Sequence, residues 1–165
     1  MNQHFLEKTQ VVSGFVPVSM TSAQTGDYVS LKDYGRCAIV FFAAAGTAGD
    51  DPTITLTQAQ DVSGTGVKAL NFTRIDVKQG TLTSVGTFTT VTQAAGNTYT
   101  DATSAEVQKI WVIDVMAEDL DIANGFDCLK AAISDVGTNA QIGCMLYFMH
   151  EPRYASGTLP SAIVD

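Results

Sequence analysis

Apolar residues along this chain recur at every second position or in short unbroken runs, and that period belongs to strands. Residues 15–20 and 28–32 are the first candidates. "CAIVFFA" at 37–43 is apolar without interruption, as expected of a strand covered on both faces. Residues 53–58 alternate, with Ile54 and Leu56 on one face and Thr53, Thr55 and Thr57 on the other. In 69–78, Ile75 and Val77 oppose Arg74 and Asp76, and a Thr-rich run follows at 86–92 around Phe88. Residues 107–116 place Trp111, Ile113 and Val115 on one face. In 126–134, Leu129, Ala131 and Ile133 oppose Cys128, Lys130 and Ala132, and 142–149 is apolar on both faces.

The separators are turn chemistry. "AAGTAGDDP", "DVSGTG", "KQGT", "QAAGNTYTD", "IANG" and "DVGTNA" each carry Gly, mostly beside Asp, Asn or Ser. The one helical turn expected lies at 116–122, where Glu118 and Asp119 favour a helix start. About eight strands at this spacing predict an all-β fold, an antiparallel jelly roll or closely related β-sandwich. Its domain spans 15–152, with flexible arms at 1–14 and 153–165. The expected core is Trp111, Ile113, Val115, Leu129, Ile133, Ile39, Val40, Leu146 and Phe148.

Composition changes this picture in one direction. Hydrophobic residues make up 45% of the 165, enough for a packed core. Charged residues make up only 16%, so much of the polar surface is Thr, Ser, Asn and Gln, and little charge has to be desolvated when an interface forms. Seventeen acids against nine bases give a net charge of −8 with no basic stripe, which excludes nucleic acid as the expected partner. Cys37, Cys128 and Cys144 are widely spaced in or beside apolar runs and read as buried, reduced thiols. The start "MNQHFLEKTQ" lacks a signal-peptide pattern, and no apolar run reaches the length of a membrane span. The expectation is a soluble protein made in a cytoplasm, with no membrane partner.

Candidate chemistry is sparse. "EDLDIANGFD" at 118–127 invites a calcium reading, but counting from Asp119 an EF-hand loop fails at Ala123, Asn124 and Lys130. A solvated acidic turn is the expectation. Asp50 and Asp51 sit in a Gly-rich loop where Asp favours turns. His4 and His150 are far apart, and "HEPRY" is not a zinc helix motif. "GTAGDD" lacks the Lys-Ser/Thr of a phosphate loop, and no G-x-S-x-G elbow is present. Trp111, spaced with Ile113, reads as core before sugar platform. The expectation is a protein that is not an enzyme, with no catalytic, cofactor or metal site.

Together, "VSLKDYGRCAIVFFAAAGTAGDDPTITLTQAQD", "ALNFTRIDVKQG", "FDCLKAAISD" and "CMLYFMHEPRY" resemble small virion structural proteins of tailed bacteriophages and prophages, of the jelly-roll capsid cement or decoration type. The resemblance spans roughly residues 14–154 and lies in fold-bearing strings, not catalytic motifs. It implies a protein on the capsid surface of a virion, assembled in the bacterial host cytoplasm, that ties major capsid protein subunits together. Fold alone leaves other roles open. One is a head–tail or tail adaptor. Another is a receptor- or glycan-binding module, for which Tyr28, Tyr34, Tyr99 and Tyr154 are the loop aromatics. A minor hydrolase is the third.

On the cement reading the chain self-associates as a dimer or trimer and attaches through its arms and a sheet edge or face. Phe5, Leu6, Val11 and Val12 in the N-terminal arm are apolar with no place in the expected sheet. Arg153, Tyr154 and Leu159 in the C-terminal arm are interface-favoured types or apolar anchors. These seven are the candidate interface residues. The alternative is that both arms fold back on their own subunit.

Overall fold

The computed structural model describes residues 4–101, 106–154 and 158–164. Twelve strands carry the fold: β1 (Thr9–Ser19), β2 (Gln24–Thr25), β3 (Val29–Ser30), β4 (Tyr34–Ala43), β5 (Thr53–Ala59), β6 (Lys68–Ala69), β7 (Phe72–Gly80), β8 (Thr89–Gly96), β9 (Thr98–Thr100), β10 (Gln108–Met116), β11 (Cys128–Ile133) and β12 (Ile142–Pro152). The larger sheet runs β1-β12-β4-β10-β7-β8. The smaller runs β2-β11-β5-β6, with β3 also paired to β11 and β9 to β5. Every pairing is antiparallel. The chain is an all-β sandwich, as its alternation predicts. Among the described residues the helical content is single turns at Phe5–Glu7, Ala117–Asp119 and Ile122–Asn124, the last two lying in and beside the acidic stretch.

The core follows from strand register. Tyr147 pairs with Ile39 and Ile39 with Ile113, so all three face inward, flanked by Phe41, Met145, Met149 and Trp111. Ile54, Leu56, Leu129, Ala131 and Ile133 close the core from the smaller sheet. Each fully buried large apolar side chain contributes about 1.5–3 kcal/mol. The Trp111 ring packs on Phe41 at 5.2 Å and edge-on to Tyr99 at 5.1 Å. Its indole N–H donates to Gln79 Oε1 at 3.3 Å.

Two features tie the sheets together. The chain leaves β8 in the larger sheet and enters β9 in the smaller at Asn97, whose carbonyl accepts the Leu56 N–H at 2.8 Å. The Tyr147 hydroxyl crosses the core and accepts the Ala131 N–H at 2.9 Å. Gly26 leaves the room this needs, because a Cβ there would run into the Tyr147 hydroxyl.

Three expectations need correction. The segment ending at residue 14 is not a free arm from Thr9 onward: β1 pairs along β12 from Thr9↔His150, and Val12 packs against the core. The β1 run alternates only loosely around Gly14 and Pro17, with register shifts, so the pattern shows a strand at 15–20 and hides its extension back to Thr9. The C-terminal segment docks at home. The Ser30 N–H donates to the Ala162 carbonyl at 2.7 Å, the Tyr34 hydroxyl donates to the Pro160 carbonyl, and Leu159 and Ala162 are buried. Finally, Val40, Leu146 and Phe148 are not core. They alternate with Ile39, Phe41, Tyr147 and Met149, so they point away from the sandwich.

Candidate docking surface

The outward positions of the larger sheet form one apolar field. Cross-strand partners share a face in an antiparallel ladder, so the register gives its rows directly. Val11, Phe148 and Ala38 lie in one row, Leu146, Val40 and Val112 in the next, and Cys144, Phe42 and Ile110 in a third. Phe42 is 48% exposed and Leu146 37%. Phe5 extends the field, its ring meeting Phe148 edge-on at 6.3 Å. At the end beyond the third row, a groove of about 400 Å³ is walled by Phe42, Ile142, Cys144, Pro17, Leu82 and Gln108. Isolated exposed apolar residues are ordinary, but contiguous fields mark surfaces that get covered.

The sequence carries the same message. Unbroken apolar runs such as 37–43 and 142–149 belong to strands buried on both faces. The core covers one face, and no described segment packs across the other apart from the turn at Phe5.

Charge sits at the far end and side of this field, and both arginines there are paired within the subunit. The Arg36 guanidinium bridges Asp114 at 2.7 Å and Glu151 at 3.2 Å, and His150 Nε2 lies 3.4 Å from Asp114. The bond to Asp114, then its charge, raises the Arg36 pKa further. Arg74 pairs with Asp76 at 3.0 Å. The Thr90 hydroxyl donates to Asp76 at 2.6 Å and, with Arg74, holds that carboxyl below its ordinary value. Lys78 sits 5.1 Å over the Phe88 ring.

The seven candidate interface residues divide. Phe5 and Val11 join the field, and Leu6 stands exposed beside Phe5. Val12 faces the core and Leu159 is buried, so neither is available to a neighbour. Arg153 and Tyr154 are exposed past the end of β12, where the Arg153 N–H donates to the Asp33 carbonyl at 2.8 Å. Sequence reasoning missed Phe42, Ile110, Val112 and Cys144 as surface. The signal lies in the runs at 37–43 and 142–149, whose apolar character on both faces does not say which face meets the core.

The acidic turn uses its carboxylates structurally. Asp121 pairs with Lys68 and accepts from the Asn124 amide at 2.7 Å, and Asp119 accepts the Met116 N–H at 2.8 Å. Among the described residues, no three His, Cys, Asp or Glu are placed to hold a metal ion. Cys37 and Cys128 are buried and Cys144 is half-buried beside the groove. Burial raises the Cys37 and Cys144 thiols above their ordinary values, away from the reactive thiolate. Among the described residues, no helix is long and apolar enough to cross a membrane.

Fold and surface together define a two-sheet antiparallel sandwich with an apolar outward face that the described residues leave largely uncovered. No family model matches the chain, and no curated protein does. Among solved structures, the SPBc2 prophage-derived protein YomS aligns over 84% of this chain and 92% of its own, with a TM-score of 0.42 and 12% identity. At that level of likeness, the architecture rests on this chain's own strands.

Proposed function

We propose that this chain is a non-enzymatic structural protein of a bacteriophage virion. In this reading it binds the assembled capsid and stabilises it by bridging major capsid protein subunits, and it self-associates. The observation that carries the proposal is the apolar outward face of β1, β12, β4 and β10, whose sequences are patterned for cover that the described chain does not supply. The resemblance of residues 14–154 to capsid cement proteins supplies the setting, the capsid surface of a particle assembled in the host cytoplasm. Low charge density suits such a role, because little has to be desolvated on contact.

The glycan-binding alternative needs aromatic side chains free on loops. Tyr28 and Tyr34 are buried and Tyr99 packs on Trp111, which leaves Tyr154 exposed at the end of β12. The adaptor alternative calls for the same apolar face and differs in where the protein sits.

The test is to mix purified protein with capsids assembled without it, and separately with tails. Saturable co-sedimentation with capsids and a rise in particle melting temperature are expected. Binding to tails alone would make it an adaptor, and binding to neither overturns the virion reading.

A further inference from the structure

We infer that the outward face of the larger sheet is where two copies of this chain pack against each other, face to face about a two-fold axis. This rests on reading that face as one covered by protein in the assembled state, and it names the cover.

Three observations point to a second copy. The first is charge. The outward strand positions carry Arg36, Arg74 and Lys78 against Asp76, Asp114 and Glu151, a balance of three and three. The chain as a whole holds nine bases and seventeen acids, so its entire −8 lies elsewhere. An acidic protein repels its own kind over most of its surface. This face is where that repulsion lapses. A basic partner would be met by an excess of acids, and the face has none.

The second is chemistry. A two-fold interface sets the same patch against itself, so it must be self-complementary. Apolar rows centred on Val40 and Leu146 satisfy that in any register, and Arg36 and Arg74 are already paired with Asp114, Glu151 and Asp76 inside each subunit, so those charges are not left alone on contact. Lys78, on the β7 side of the face, lies over the Phe88 ring of its own subunit.

The third is size. Six strands about 4.8 Å apart, with three outward rows roughly 6.7 Å apart, span on the order of 500 Å² in projection, of which the four apolar strands make up about two thirds. A corrugated surface of that footprint approaches the ~800 Å² of accessible area per partner in a standard stable interface. Sandwich faces of this kind pack with their strands aligned within about 30°.

Sedimentation equilibrium of the full chain tests this, alongside Leu146→Glu and Val40→Lys on the face and Thr55→Glu on the outward side of the smaller sheet. Thermal melting confirms that each variant folds. The wild type and Thr55→Glu should be dimers, and each face variant should dissociate roughly tenfold or more readily. Added salt should tighten the wild-type dimer by screening the net charge. A wild type that stays monomeric overturns the inference, as does a dimer indifferent to both face substitutions. Capsid co-sedimentation of the same proteins separates the two proposals. A face-dependent dimer that binds no capsid upholds this inference and removes the cement role. A monomer that binds capsid and loses binding with Leu146→Glu overturns this inference and makes the capsid the cover.

Discussion

The Lys109 ammonium lies 2.6 Å from the Glu106 carboxylate with both side chains sealed from solvent, at one end of β10 and 5.4 Å from the Trp111 ring. Burial, reinforced by the Asp51 carboxyl, raises the Glu106 pKa, and the bond from Lys109 opposes that rise. Removing one partner strands a buried charge. Glu106→Gln is expected to cost about 3–5 kcal/mol in urea denaturation. Replacing both, as Glu106→Leu with Lys109→Met, should recover most of that loss, because desolvation consumes much of what a buried pair gains. A single substitution without effect would show that the pair opens to water.

The acidic turn sets a pH dependence. Lys68, then Asn124, depresses the Asp121 pKa below its ordinary value. A depressed carboxyl stabilises the fold above its unfolded pKa of about 3.9, and that contribution is lost as pH falls through the lower folded value. Asp121→Asn should therefore melt below the wild type at neutral pH, and the two curves should converge in strong acid. A gap independent of pH would assign the loss to the turn's hydrogen bonds instead.

Neighbours on one strand should answer differently to truncation. Trp111→Ala should cost about 3–5 kcal/mol and Ile39→Ala about 2–5, since both are fully enclosed. Val40→Ala, one residue on and facing outward, should stay within about 1 kcal/mol at concentrations where the chain is monomeric. Equal losses at Ile39 and Val40 would mean that the outward face is covered within the subunit.

The three thiols should alkylate in order. At concentrations where the chain is monomeric, Cys144, half-buried beside the groove, is expected to react in the native protein, while Cys37 and Cys128 wait for unfolding. Mass spectrometry after timed quenching reads this directly. Simultaneous modification of all three would contradict the fold around Cys37.

The sequence displays its strands where one face is apolar and the other polar. Ile54 and Leu56 against Thr53, Thr55 and Thr57 predict β5 and its inward face, and both residues are buried. It misleads where both faces are apolar, because alternation then assigns no direction. Val40, Leu146 and Phe148 look as much like core as Ile39 and Tyr147, and register alone separates them. The first half of β1, residues 9–14, is hidden by Gly14 and the register shift beyond Ser13, while 15–20 reads as strand. β9 is hidden because the turn-rich "QAAGNTYTD" reads as a loop, although Asn97 turns the chain from one sheet into the other. The Glu106–Lys109 pair leaves no trace in a pattern of hydrophobicity, since a sealed ion pair spells like a solvated one.

The first long strand and the last run side by side, with Thr9 opposite His150 and Ser19 opposite Ile142. Both strands therefore meet the rest of the chain at the same end of their ladder. A pull applied at Thr9 and at Pro152 would part the hydrogen bonds singly, as a zipper opens, and the ladder would give way under little force. A pull spread across the sheet face has to shear many bonds at once. The β1–β12 ladder is thus strong against loads that run along its strands and weak against loads that open it from the Thr9 end.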